Sequence, residues 1–447
     1  MVARASAVTE PPRDVRIRVD DQARVASARA DGRRWQLCWL LLGPGMLVML
    51  AENDGPSMTS YLATGALYGL RFFLPFLLVT FAFAAVCQEM CARVATVTKK
   101  GFGDLLLQRF GPSWARFAAI DLLATNVVTL VAEFVAMRIG LSYFGAPAVA
   151  AVIVGVVLVA GSHCAGRYWR WERIALTLGV GNLVFVLVAL LTRPPWLSLS
   201  HGLAQAWTLP GGPRSTLLLA IASTLGATIT PWMVYFQQGA TADKGLRVAD
   251  LRYGRLDTWF GAAAAAACGC GALLVGSRLR AHGALGGSVL ASAGFPEALA
   301  RDFGPIVGAL CALGLVEAGA VALLTISAST AYAASDCLGI TASFNRAPWR
   351  ARVFSGINVG VAALAGVVVL LPHAPVLSIA LNANALAAVF VPVTLVFVLL
   401  MANDRELMGR WRNTRRNNVL GLAVAICVAG SAAGYGVDAF CGALHTL

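Results

Sequence analysis

Charge is what this chain has least of. Asp, Glu, Lys and Arg make up 13% of its 447 residues, roughly half the share of a soluble domain. With 58% of residues hydrophobic, that deficit excludes an ordinary soluble fold. Apolar runs long enough to cross a bilayer as helices recur from Leu37 to the C-terminus. They are continuous rather than alternating, which excludes a transmembrane barrel. Lipid tolerates no open backbone, so the spans are helices. Histidine is also scarce. His163, His201, His282, His373 and His445 show no paired ligand spacing, which argues against structural zinc. None of the ten cysteines forms a CxxC pair. Cys87, Cys91, Cys268, Cys270 and Cys427 lie inside apolar runs and read as small buried hydrophobes. No phosphate-cradling loop appears, which argues against ATP-driven transport, and no motif points to an enzyme or a cofactor. No apolar run precedes the first span, so no cleavable signal peptide is expected.

What is present is a pattern of basic loops. The net charge of +13 would suggest nucleic acid in a soluble protein, but in a membrane protein it reports topology. Hydropathy gives eleven spans, at roughly 37–65, 71–97, 115–142, 147–164, 174–192, 215–240, 257–277, 303–336, 351–371, 375–401 and 417–439. With the N-terminus in the cytoplasm, 27 Lys and Arg fall in inner segments and six in outer ones, as the positive-inside rule requires. Residues 1–35 are Arg-rich but salted with acids, and read as a disordered cytoplasmic tail. Residues 36–192 and 215–401 form two five-helix units. Residues 402–447 hold helix 11 and a short extracellular C-terminus.

Two spans carry interruptions near their middles. Span 1 contains Ala51-Glu52-Asn53-Asp54-Gly55-Pro56-Ser57, and span 6 contains Gly226-Ala227-Thr228-Ile229-Thr230-Pro231-Trp232. Proline removes a backbone donor and clashes with the preceding turn, so both helices are expected to unwind at mid-membrane. Unwound backbone survives there only when it is buried in protein or lines a cavity. Spans 1 and 6 correspond if helices 1–5 and 6–10 are inverted repeats, the arrangement that marks a carrier's substrate site. An aspartate at that depth marks an ion path. Asp54 would supply an anionic oxygen, Ala227 a carbonyl, and Ser57 and Thr230 hydroxyls or a held water, which suits a hard cation. Glu52, two residues before Asp54, is expected to point elsewhere, into a vestibule.

At these residues the sequence resembles the NRAMP superfamily of divalent metal transporters. The span 1 pattern Gly-Pro-x-x-x-x-x-x-Ala-x-x-Asp-Pro-Gly-Asn, with Gly-Ala-x-x-Gly following, aligns without gaps on Gly43 to Gly69. Gln88, Ala92-Arg93, Thr98, the Gly226-Ala227-Thr228-x-x-Pro231 run and Asp404-Arg405 before Leu407-Met408-Gly409 match as well. The resemblance implies an all-α integral membrane protein of LeuT-type fold, with about eleven helices in two inverted five-helix repeats plus one. It places the family's aspartate ligand on Asp54 and its carbonyl ligand on Ala227. The asparagine ligand falls on Ser57 and the methionine on Thr230, while Pro-Gly becomes Gly55-Pro56. The family histidine linked to proton movement is Trp232; a span 3 glutamate matches Glu133, and the aspartate before it is Leu130.

These departures carry chemical weight. Oxygen donors in place of a thioether suit Mg²⁺ and Mn²⁺, and Mg²⁺ prefers to keep several waters. Losing an imidazole removes a group that titrates near neutral pH. The pattern is similar to the NRAMP-related magnesium transporter branch, which implies facilitated, proton-uncoupled flux. A proton-coupled Mn²⁺/Fe²⁺ carrier, an Al³⁺ carrier and an organic-solute carrier of the same fold remain alternatives. Asn384 in span 10 is a candidate ligand or water anchor, and Glu133, Trp232, Glu317 and Gln237 are candidates for the cavity or pathway. The implied partners are the metal ion as cargo and the lipid bilayer. No nucleic acid or protein partner is implied, and a monomer in a bacterial inner membrane is expected.

Overall fold

The computed structural model describes residues 13–194, 207–281, 294–340, 343–370 and 376–446. Among them the chain is helical, with no strand. The helices are α1 (Arg13–Ala30), α2 (Arg34–Leu41), α3 (Pro44–Ala51), α4 (Gly55–Tyr68), α5 (Phe73–Thr98), α6 (Phe102–Phe110), α7 (Pro112–Tyr143), α8 (Ala148–Ser162), α9 (Tyr168–Val180), α10 (Val184–Leu191), α11 (Arg214–Gly226), α12 (Pro231–Lys244), α13 (Leu251–Ala281), α14 (Phe295–Phe303), α15 (Pro305–Cys337), α16 (Arg352–Val369), α17 (Val376–Asn403), α18 (Arg405–Met408) and α19 (Arg415–Thr446). Ten helices among the described residues are long and apolar enough to span a bilayer, or eleven when the bent pair α2–α3 is counted as one.

Span 1 is three helices rather than two. Besides the break at 52–54, the chain bends by 51° between α2 and α3. The sequence signal was Gly43-Pro44, since proline disfavours helix in the residue before it. Asp257 of α13 accepts from the Gly43 and Gly45 amides at 2.9 and 2.6 Å. Lys244 Nζ donates to the Leu42 carbonyl at 2.8 Å and pairs with Glu172 at 2.7 Å, both side chains fully buried. Tyr168 donates to the other Glu172 oxygen at 3.0 Å. The ends of spans 1, 5, 6 and 7 are thereby tied on the face that carries α1.

Small residues set the helix spacing around span 1. A Cβ built on Gly65 of α4 would sit 2.0 Å from the Leu273 carbonyl of α13, and one on Gly276 equally close to that of Leu62. Such reciprocal contact lets two backbones approach in a medium where apolar burial gives little drive. Span 6 is among the most enclosed, with 78% of its apolar window buried, against 22% for the span beginning at α8 and 28% for that beginning at α19. The two broken spans therefore occupy the interior, and α8 and α19 turn Val and Leu outward toward lipid.

The N-terminal tail departs from expectation. Residues 13–30 form α1, docked on the protein rather than disordered. Arg29 pairs with Asp250, Arg167 with Asp21 at 2.6 Å, and Arg247 donates to Gln22 at 2.7 Å. Ala28 packs with Leu37, Leu41 and Leu246. The acids interspersed among the arginines, which suggested a solvated tail, are the partners that seat it. The remainder of the tail, residues 1–12, lies outside the described residues, as do His201, His282 and His373.

Candidate metal site

Both breaks start a new helix within an apolar span, and each follows from its own residues. Asp54 is extended (φ −73°, ψ 174°) and caps α4, its carboxylate accepting from the Ser57 amide at 2.8 Å. Pro56 stands in the first turn, where its missing N–H is not needed. Thr230 is extended at the head of α12, and Pro231 occupies the first helical position. Groups freed by unwinding find partners in neighbouring spans. The Gly55 amide donates to Glu133 Oε2 at 2.9 Å, Asn53 Nδ2 to the Ala265 carbonyl at 2.7 Å, and Asn182 Nδ2 to the Leu50 carbonyl at 3.1 Å. Tyr61 Oη donates to the Ala227 carbonyl at 2.9 Å, and Ser329 Oγ to that of Trp232 at 3.0 Å.

Glu52 joins the two breaks. Thr230 Oγ1 donates to Glu52 Oε2 at 3.1 Å, and Glu52 is wholly buried. The expectation that it faces a vestibule assumed a continuous helix; α3 ends at Ala51, so its side chain turns across to span 6. Glu52, Asp54 and Glu133 thus form a group of carboxyls close enough to sense one another. Like charges so placed require a cation or protons between them.

Around Asp54 the hydrogen bonding is incomplete. Glu52 Oε1, Ser57 Oγ and Glu133 Oε1 are buried without a hydrogen-bond partner. Each unmade buried bond costs about 1–3 kcal/mol, more for a charged group. Three such atoms beside a capping carboxylate are oxygens of the hard type that a hard cation takes. Among the described residues no three His, Cys, Asp or Glu side chains converge as a complete metal cage. Hydroxyl, carbonyl and water oxygens would have to finish the shell, which fits an ion that keeps part of its hydration.

Other candidates fall around this centre. Ala227 offers a carbonyl already holding Tyr61, with one lone pair left. Asn384 donates to Ser60 at 3.0 Å, in a chain with Ser223 at 3.1 Å from Ser60; this places its amide one turn along α4 from Ser57. A Cβ on Gly226 would meet the Asn384 carbonyl at 1.7 Å, so α11 and α17 touch backbone to backbone there. Trp232 is buried against Phe236 at 6.3 Å between ring centres. Gln237 lies buried farther along α12. Glu317 packs against Gly181, at the 3-10 turn that interrupts span 5, and is not part of the Asp54 group. Sequence reasoning missed Tyr61, Asn182 and Ser329. Tyr61 alone had a signal, lying seven residues after Asp54 on one helix face. It also missed Met233, whose thioether accepts from the Thr230 amide at 3.3 Å. Sulfur is near the span 6 break, though engaged as a cap.

The sequence pattern described as Natural resistance-associated macrophage protein-like matches residues 45–437, from the start of α3 into α19. The chain belongs to this family. Among its relatives, the divalent metal cation transporter MntH of Mycobacterium tuberculosis (strain CDC 1551 / Oshkosh) is 28% identical over 215 residues, 46% of this chain and 48% of that protein. The chain thus spans about half the length of the curated relatives it matches. Among solved structures, the manganese transporter of Eremococcus coleocola, in complex with an aromatic bis-isothiourea compound, superposes with a TM-score of 0.71 at 20% identity, covering 89% of this chain and 86% of that one. A Na⁺-coupled sialic acid symporter in a substrate-bound outward-open state gives 0.57 at 11% identity, covering 87% and 88%. The family member is therefore a multi-pass membrane protein of LeuT-type fold, as the resemblance implied.

Proposed function

We propose that this protein carries a hard divalent cation, Mg²⁺ or Mn²⁺, across the membrane by alternating access. The observation that carries the reading is the set of unpartnered oxygens on Glu52, Ser57 and Glu133 around Asp54. Asp54 supplies the fixed charge and Glu52 a second carboxylate. Thr230, Ser57 and the Ala227 carbonyl supply neutral oxygens, directly or through water. An all-oxygen set suits Mg²⁺ and Mn²⁺ rather than softer ions. The structurally similar manganese transporter favours Mn²⁺; the absence of a thioether at position 230 extends the range to Mg²⁺. The 27-to-six division of basic residues supports a cytoplasmic N-terminus, in a bacterial inner membrane.

Flux is proton-uncoupled in this reading, because Trp232 and Leu130 stand where the family carries titratable groups. One observation favours the coupled alternative: Glu133 keeps an unpartnered oxygen beside Asp54. Proteoliposomes loaded with a pH dye separate the two. Metal entry with a constant lumenal pH supports uncoupled flux, whereas acidification that tracks entry makes Glu133 the proton carrier.

A further inference from the structure

From Thr230, α12 runs toward the face that carries α1, and its polar side chains form a second unfinished set. Gln238 lies eight residues on, about 12 Å along the helix, and Thr241 about 16 Å. Gln238 is fully buried beside the Cys91 thiol of α5. Gln88 lies one turn from Cys91 on the same helix, also fully buried. Both polar atoms of both amides lack a hydrogen-bond partner, as do Thr241 Oγ1 and Ser335 Oγ of α15. Threonines elsewhere in the spans, such as Thr59, Thr125, Thr129 and Thr330, donate to their own helix's carbonyls. Thr241 has no such bond.

Beyond these groups α12 reaches a recess of about 310 Å³ on the same face. Asp104, Asp243 and Asp336 line it, with Tyr332, Lys99 and Lys100. Lys99 is bonded to the Leu246 carbonyl and Lys100 to Gln108. Asp243 is engaged by Tyr332 at 3.0 Å and by the Phe344 amide at 2.9 Å. Asp336 accepts from the Asp104 amide at 3.4 Å.

We propose that Gln88, Gln238 and Thr241 form a hydrated station for the divalent ion between the Asp54 site and this acid-lined recess. The inference rests on the proposed function and adds the ion's route to it. Amide and hydroxyl oxygens coordinate a hard cation without a countercharge, so they hold it more weakly than Asp54 and Glu52 do. An ion leaving two carboxylates needs such an intermediate, because bare apolar helix would strip its water. Asp104 and Asp336 then offset Lys99 and Lys100, which repel a divalent ion at the exit.

The test uses the full-length protein in proteoliposomes with Mn²⁺ as probe. Changing both glutamines to methionine (Gln88→Met with Gln238→Met) keeps volume but removes the amides. The dissociation constant by calorimetry stays within about twofold, while initial uptake falls by about tenfold or more. Asparagine at both positions restores at least about half the rate, as a hydratable amide should. Undiminished uptake by the methionine pair overturns the station, and so does a loss that asparagine fails to restore. If the pair does not fold, Gln238→Met alone is expected to slow uptake about threefold at unchanged binding, and an unchanged rate overturns the proposal equally. Wild-type protein that binds no Mn²⁺ would instead defeat the proposed function, before the station is reached.

Discussion

Two buried polar clusters in this protein are both built around carboxylates and differ in how they are finished. At the end of span 1 near α1, Lys244, Glu172, Tyr168, Asp257 and the Gly43 and Gly45 amides bond one another. At mid-membrane, Glu52, Asp54, Ser57, Thr230 and Glu133 are as deeply buried, yet three oxygens lack partners. Burial alone therefore does not identify a ligand site. A structural network closes on itself because an unmade bond destabilises the fold. A ligand site keeps oxygens open for the ion to complete. The closed cluster joins spans 1, 5, 6 and 7 on one face and so latches these elements together.

The comparison breaks most sharply at the latch. Lys244→Met leaves Glu172 buried without its cation and is expected to lower stability by about 3–5 kcal/mol, measured as loss of the folded fraction in detergent melts. Adding Glu172→Leu should recover most of that loss, since an apolar pair can replace a buried ion pair. A double variant no more stable than the single one would mean that the pair is not the latch's energetic centre. At the open cluster, Glu52→Gln should weaken divalent binding by about tenfold, one charge's share of the site, while leaving the melting temperature nearly unchanged. A large fall in stability with unaltered binding would class Glu52 with the latch. Thr230→Met should move preference from Mg²⁺ toward softer ions such as Cd²⁺ by several-fold, read by competition in uptake. The smallest effect belongs to the half-exposed Arg109, which pairs with Asp404 at 2.6 Å; Arg109→Ala should leave the melting temperature nearly unchanged, as solvent screens the pair.

Much of this architecture was legible because membrane helices announce themselves by length and by charge in their loops. The two mid-membrane breaks were legible because Pro56 and Pro231 cannot sit inside a regular helix. Asp54 stood out for the cost of its charge. What escaped was contact between distant segments. Glu52 looked misdirected while span 1 was read as a helix through position 52; its bond to Thr230 exists because the helix has already ended. Asn182 and Ser329 support the breaks from spans 5 and 8, and nothing near them in the chain declares that purpose. The docked α1 was hidden by composition, since Asp21 and Arg29 match partners 146 and 221 residues away. Asn384, read as a ligand or water anchor, donates to Ser60, and its carbonyl lies at the close contact of α17 with Gly226, a packing role that its position in the chain did not declare.

The central claim is that a hydrated hard cation sits at Asp54 between the two breaks. Its most direct test is Mg²⁺ and Mn²⁺ uptake by proteoliposomes carrying wild-type protein or Asp54→Ala, each checked for folding by its melt. The account predicts uptake of both ions by the wild type and none above empty vesicles by the variant. Undiminished flux through folded Asp54→Ala would contradict it.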